Sequence, residues 1–142
     1  MPLPPAPRTV GLRAATAIAA LEALALIAYT VFLLVEALRL GTTGPEEVSN
    51  VPALVTEIVV FAAFGAGLAW LTRGLWLRRA WARTPFLVAQ IFGLVVGIPL
   101  LQAEGGVERA VGAAVVACGL VGAVLVFTPA VSAELNGDDP TA

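Results

Sequence analysis

Trp70-Leu-Thr-Arg-Gly-Leu-Trp-Leu-Arg-Arg-Ala-Trp-Ala-Arg83 is the segment that decides the fold, because its four arginines and three tryptophans separate two long apolar runs. Indole rings favour the headgroup region of a bilayer, and arginines in short loops stay on the cytoplasmic side. The sequence therefore predicts that the chain turns here at the inner surface of a membrane, with spanning helices before and after the turn.

The composition of the 142-residue chain argues against a soluble domain, since 59% of the residues are hydrophobic and 13% are charged, against about a quarter charged in soluble proteins. The basic residues are eight arginines, with no lysine or histidine, and Cys118 is the one cysteine. We therefore expect no disulfide, no metal site and no cofactor. No catalytic residue and no enzymatic activity are expected, because the known catalytic motifs are absent. A net charge of −2 indicates no nucleic-acid partner.

Four apolar runs are predicted to be membrane-spanning helices, because each approaches the roughly 20 residues that cross a bilayer. They cover approximately residues 14–38, 51–72, 85–102 and 107–128. We predict an all-α, four-transmembrane-helix antiparallel bundle over residues 10–131. The flanking segments 1–9 and 132–142 are predicted to be disordered tails, the first rich in proline and the second acidic.

Turn and cap residues mark the ends of these helices. Glycines within the acidic loop 41–50 end the first helix, and Ser49 or Asn50 can cap the second. Gly74 marks a candidate break in the second helix. Thr84-Pro85 reads as an N-cap followed by proline at the first position of the third helix.

The arginine distribution predicts the orientation. With the N-terminus inside, six arginines are cytoplasmic and two, Arg39 and Arg109, are outside. The positive-inside rule then places both termini in the cytoplasm. Because the arginine-rich, lysine-free composition is typical of GC-rich bacterial genes, we expect the bacterial cytoplasmic (inner) membrane. So uneven a count disfavours a protein that inserts in both orientations.

Small residues predict how the helices pack, because helices in lipid associate through close backbone contact. The third helix has a GxxxG motif at Gly93 and Gly97. The fourth has a four-residue ridge of small side chains: Ala110, Ala114, Cys118 and Gly122. These ridges either pack the four helices within one chain or join two copies of it. In either case Cys118 is predicted to be a small buried side chain and not a reactive thiol.

Polar residues within the predicted spans are functional candidates, because a mid-membrane carboxylate costs roughly 2.5–3.5 kcal/mol or more. Glu22, Tyr29 and Glu36 are spaced by seven and share one face of the first helix. Gln90 lies at a depth that would allow a hydrogen bond to Glu22, and Glu57 lies near the depth of Glu36. Glu22 is either a proton-carrying group of a small pore or exporter, or a neutral packing residue. Glu36 and Glu57 either take part or reach the outer surface.

The Trp/Arg segment also has two interpretations. In the first, the tryptophans fix its depth and the arginines bind anionic lipid headgroups. In the second, the same surface docks a cytoplasmic or membrane protein. The residues concerned are Trp70, Arg73, Trp76, Arg78, Arg79, Trp81 and Arg83.

The run Arg78-Arg-Ala-Trp-Ala-Arg-Thr-Pro85 resembles that of small four-span integral membrane proteins of high-GC actinobacteria, a resemblance that implies no active residues. An early glutamate in the first of four spans is also superficially similar to small multidrug resistance exporters, although the residues around Glu22 depart from their pattern. We expect a non-enzymatic accessory or structural membrane protein in contact with lipid and with a membrane-protein partner or a second copy. The alternative is a small proton-coupled transporter or exporter that uses Glu22.

Overall fold

The fold is all-helical throughout the part of the chain that the computed structural model describes, residues 8–40 and 51–136. The elements are α1 (Val10–Leu40), α2 (Val51–Trp76), a 3-10 turn (Ala80–Ala82), α3 (Arg83–Leu101), α4 (Gly106–Phe127) and α5 (Pro129–Asn136). Four of the helices, α1 to α4, are long and apolar enough to cross a membrane. The predicted all-α class and the four candidate spans are confirmed. The predicted loop 41–50 with its caps lies outside the described residues.

The helices extend beyond the predicted spans where capping or further apolar residues allow it. α1 begins at Val10, four residues before the predicted start, and the Thr9 hydroxyl accepts a hydrogen bond from the Leu12 N–H at 3.3 Å as an N-cap does. α2 continues to Trp76. α3 begins at Arg83 after the 3-10 turn, so Pro85 stands within its first turn and Thr84 is not the N-cap.

The described residues divide into two compact units. The first takes its residues from Met1–Ile18 and Leu71–Ala142, so it contains α3, α4 and α5 together with the start of α1 and the end of α2. The second is Ala19–Trp70. Within the second unit α1 and α2 touch at Gly65, where an added Cβ would lie 3.0 Å from Ile27 Cγ1.

Glycines let α3 and α4 approach closely in the first unit. A Cβ on Gly97 would lie 2.9 Å from Val116 Cγ2, and one on Gly112 would lie 2.7 Å from the carbonyl carbon of Leu100. Gly122 faces the buried side chain of Gln90, whose Oε1 would be 2.7 Å from an added Cβ. The contact between α3 and α4 therefore depends on glycine, as expected for helices in lipid.

The small-residue side of α4 that faces α3 differs from the predicted ridge. Gly112, Gly119 and Gly122 are buried there, whereas Ala110 and Ala114 are exposed and Cys118 is half-buried. On α3, Gly93 has only ordinary contact distance to Val115, at 3.7 Å from an added Cβ. The physical reason is that residues four apart drift around a helix of 3.6 residues per turn, while residues seven apart remain on one side.

α5 replaces the first part of the predicted disordered tail. Thr128 ends α4, its hydroxyl donates to the Leu125 carbonyl at 2.7 Å, and Pro129 starts α5 with a φ already suited to a helix. Val131 and Leu135 lie four residues apart and are buried, and α5 contacts α4 and the 3-10 turn. Burial of these apolar side chains stabilises the helix despite the acidic composition of the segment.

Replacing Gly112 with alanine is expected to lower the free energy of unfolding by about 1–3 kcal/mol, because the new methyl group would press on the α3 backbone. The matched control is Gly67→Ala, since a Cβ at that exposed helical glycine meets nothing within 4 Å. The free energy of unfolding of both variants is measured by denaturing the purified proteins in mixed micelles with increasing dodecyl sulfate. Equal stability of the two variants would contradict the close α3–α4 packing.

Candidate functional site

A buried carboxylate on α5 joins three parts of the first unit. The Glu134 side chain is only 10% exposed. Its Oε2 accepts hydrogen bonds from the Thr9 N–H at 3.1 Å and the Thr9 hydroxyl at 2.7 Å, and its Oε1 pairs with Arg78 Nε at 3.0 Å. We call Thr9, Arg78 and Glu134 the Glu134 cluster. It connects α5, the start of α1 and the turn after α2.

The charges near these helix ends match the helix dipoles. The Glu134 carboxylate lies at the N-terminus of α1, where negative charge is favourable, and it takes up an N–H at the start of that helix. At the C-terminus of α2 the Arg8 guanidinium donates to the Trp76 carbonyl at 3.2 Å, and its Cζ lies 3.9 Å from the centre of the Trp76 ring. Arg8 thus caps the C-terminus of α2, and Glu134 caps the N-terminus of α1.

The turn after α2 is a Schellman motif with arginine where glycine is usual. The Arg78 N–H bonds to the Leu75 carbonyl at 3.0 Å, the Arg79 N–H bonds to the Gly74 carbonyl at 2.9 Å, and Arg78 has φ 54°. A left-handed conformation costs an L-residue with a Cβ about 1–2 kcal/mol. The ion pair with Glu134 gives a physical reason for an arginine at this position.

Gly74 does not break α2, contrary to the expectation from the sequence. The helix continues through it to Trp76, and the glycine instead makes room for the Trp81 indole, whose Cζ2 would lie 2.7 Å from an added Cβ. The 3-10 turn that carries Trp81 is thereby packed against the last turn of α2.

The tryptophans of the Trp/Arg segment and two of its other arginines are exposed. Trp70, Trp76 and Trp81 are 67%, 50% and 47% exposed. Arg73 and Arg79 are exposed and Arg83 is half-buried. Arg78 differs from the other three, since its Nε pairs with Glu134 and that carboxylate compensates its positive charge.

The polar residues of α1 and α2 meet at one point in the second unit. The Tyr29 hydroxyl donates to Glu57 Oε1 at 3.1 Å, and the Tyr29 ring packs edge-on against Phe61 with 4.9 Å between ring centres. Glu22 and Glu36 are half-buried on α1. A hydrogen bond between Tyr29 and Glu57 therefore links α1 to α2.

Gln90 is completely buried in the first unit, in the space that Gly122 leaves open. Glu22 belongs to the second unit. The hydrogen bond between Glu22 and Gln90 stays a prediction.

The sequence interpretation missed Arg8, Thr9 and Glu134, which it assigned to disordered tails. One signal was available for α5: Thr128-Pro129 repeats the Thr-Pro pattern that was used to place the start of α3, and Val131 and Leu135 follow at helical spacing. The pairing of Glu134 with Thr9, 125 residues away, has no local signal.

Within residues 8–40 and 51–136 no group of three or more histidine, cysteine, aspartate or glutamate side chains is arranged to hold a metal ion. Comparison of the chain with protein-family models, with curated proteins and with solved structures found no match. The resemblance to actinobacterial membrane proteins stays a prediction.

Glu134 is expected to determine the size of the effect of Arg78→Gly on the free energy of unfolding. In the wild-type protein the substitution removes a charged pair and should cost about 1 kcal/mol net, because the lost pairing outweighs the relief of backbone strain. In a Glu134→Ala background the pair with Glu134 is already lost, so Arg78→Gly should be less destabilising than in the wild type by about 1–2 kcal/mol, the value of that pair. Denaturation in mixed micelles measures the coupling between the two positions.

A Glu104→Ala background is the matched control, since Glu104 is an exposed glutamate in the turn before α4. There Arg78→Gly should behave as in the wild type. An effect of Arg78→Gly that is the same in the Glu134→Ala background as in the wild type would show that Glu134 does not stabilise the turn.

Proposed function

We propose that the chain is a non-enzymatic accessory or structural protein of the bacterial cytoplasmic membrane. In this proposal α1 to α4 form an antiparallel four-helix bundle, both termini are cytoplasmic, and the protein works beside a membrane-protein partner or a second copy. The six-to-two arginine count supports this orientation. On that orientation the Glu134 cluster lies at the cytoplasmic side.

The observation that carries the proposal is the Glu134 cluster. The Thr9 hydroxyl and the Arg78 guanidinium both bind the Glu134 carboxylate, so three chain segments are joined at their helix ends. In the same way Arg8 is used at the end of α2. Polar groups that hold helix ends together favour a structural role over a chemical one, because a reacting group must remain accessible to its substrate.

A small proton-coupled transporter is the second candidate, and the observation in its favour is the set of half-buried carboxylates within the candidate spans. Glu22 and Glu57 are both half-buried there, and Glu57 shares a hydrogen bond with Tyr29. Ionisable groups at such depth are costly and often belong to ion pathways. In this alternative Glu22 carries the proton.

An accessory role predicts that the full chain leaves native membranes in a complex of fixed stoichiometry. We expect extraction in a mild detergent, after crosslinking in the membrane, to give a second membrane protein or a second copy at a constant ratio, measured as the mass of the complex without detergent. The Gly67→Ala variant should give the same complex, because that position is open. A monomer in both the crosslinked and the untreated preparations would contradict the accessory role.

The accessory role also predicts that Glu22→Gln is silent, since glutamine keeps the hydrogen bonding and removes only the titratable proton. Proton flux is measured in liposomes with an internal pH-sensitive dye under an imposed pH gradient. We expect no flux above that of empty liposomes for the wild type, for Glu22→Gln or for the matched control Glu36→Gln. Wild-type flux that Glu22→Gln abolishes and Glu36→Gln preserves would establish the transporter instead.

A further inference from the structure

Three arginines of the Trp/Arg segment have no acidic partner among the described residues. Arg78 is paired with Glu134. Arg73 and Arg79 are exposed and Arg83 is half-buried, so their positive charge is not compensated within the described structure. Adjacent arginines, Arg78 and Arg79, are therefore in different electrostatic situations.

Backbone hydrogen bonds connect the end of α2, which carries Arg73, to the turn that carries Arg79 and to the start of α3 at Arg83. The Arg79 N–H bonds to the carbonyl of Gly74, next to Arg73, at 2.9 Å. Arg79 is also the N-cap of the 3-10 turn and Arg83 is its C-cap, with the Arg83 N–H bonded to the Ala80 carbonyl. Sites ten residues apart in sequence thus belong to a single hydrogen-bonded unit with a fixed backbone.

Two half-exposed indoles belong to the same turn. Trp76 is 50% exposed and Trp81 is 47% exposed. The Arg8 guanidinium lies over the Trp76 ring, and the Trp81 ring packs against Gly74. Trp76 ends α2 and Trp81 lies at the start of the Ala80–Leu101 segment, and both of these segments are long and apolar enough to span a membrane. Indoles at the end of spanning helices occupy the headgroup layer, where the phosphates of lipids lie.

We propose that Arg73, Arg79 and Arg83 form a docking surface for the headgroup phosphate of anionic phospholipid, and that Arg78 is not part of it. The charge of the three arginines complements the phosphate, and the indoles hold the turn at the depth of the headgroups. The guanidinium of Arg78 is occupied by Glu134, which stabilises the turn that presents the other three. This inference rests on the proposed membrane insertion and is independent of the accessory role.

The test uses the full chain in vesicles of equal parts phosphatidylcholine and phosphatidylglycerol. Spin-labelled lipids of each type report the relative association constant of the protein for the anionic lipid. We expect Arg79→Gln to lower that constant about fivefold, the equivalent of about 1 kcal/mol for one arginine near the surface. The association constant for phosphatidylcholine should not change.

The double variant Arg78→Gln with Glu134→Gln is the matched control, because it removes the ion pair without changing the net charge near the turn; it should leave the preference for the anionic lipid unchanged while lowering the stability of the protein. Arg109→Gln is a second control, because Arg109 lies in the first turn of α4, where its guanidinium donates to the Ala103 carbonyl of the preceding turn at 3.0 Å. An equal loss of preference in the double variant or in Arg109→Gln, or no loss in Arg79→Gln, would overturn the proposal. So would displacement of the anionic lipid by inorganic phosphate, which would show a site for free anions.

Failure of this inference is distinguishable from failure of the proposed function. The lipid preference is read with the purified chain alone, whereas the accessory role is read from the mass of the complex. A variant at Arg79 that keeps its wild-type unfolding curve and loses the lipid preference supports the docking surface, whatever accompanies the chain in native membranes.

Discussion

Helix ends impose the constraint on which the first unit depends. An α-helix leaves four N–H groups and four carbonyls without intrahelical partners, and each of these groups needs a side chain or water to bond to. Here side chains distant in sequence form these hydrogen bonds. Glu134 accepts from an N–H at the start of α1, and Arg8 donates to a carbonyl at the end of α2. Because each pairing needs two segments to be in place together, the short α5 contributes to the ordering of the much longer α1.

The spans are predictable from the sequence because they are properties of single helices. Length and apolar content alone identify α1 to α4, and the turn chemistry of the Trp/Arg segment places the connection between α2 and α3. The side of α4 that meets α3 is not predictable in this way. Both Ala114 and Gly119 are small, but only glycine leaves room for the α3 atoms opposite, and those opposing atoms are known only once the helices are paired.

The candidate site was less accessible to sequence reasoning than the fold. Acidic composition at the C-terminus indicates disorder when each residue is counted alone, yet Glu134 becomes part of a folded helix because Val131 and Leu135 bury their side chains. Arg78 was grouped with its neighbours as one basic cluster. Its positive φ and its ion pair are set by the three-dimensional position of the turn, which no count of arginines contains.

Arg78 can satisfy two demands that apply at different times. The orientation of the chain is set while it inserts into the membrane. At that stage arginines have a strong effect on the orientation, and acidic residues have little effect. Arg78 then counts toward the six that keep the turn inside. After folding, Glu134 neutralises it, so a charge that helps to orient the chain becomes the contact that stabilises a left-handed backbone position. A glycine at this position would adopt the left-handed conformation without strain, but it would add no positive charge to orient the chain. This is a reason for an arginine to occupy the position despite the strain.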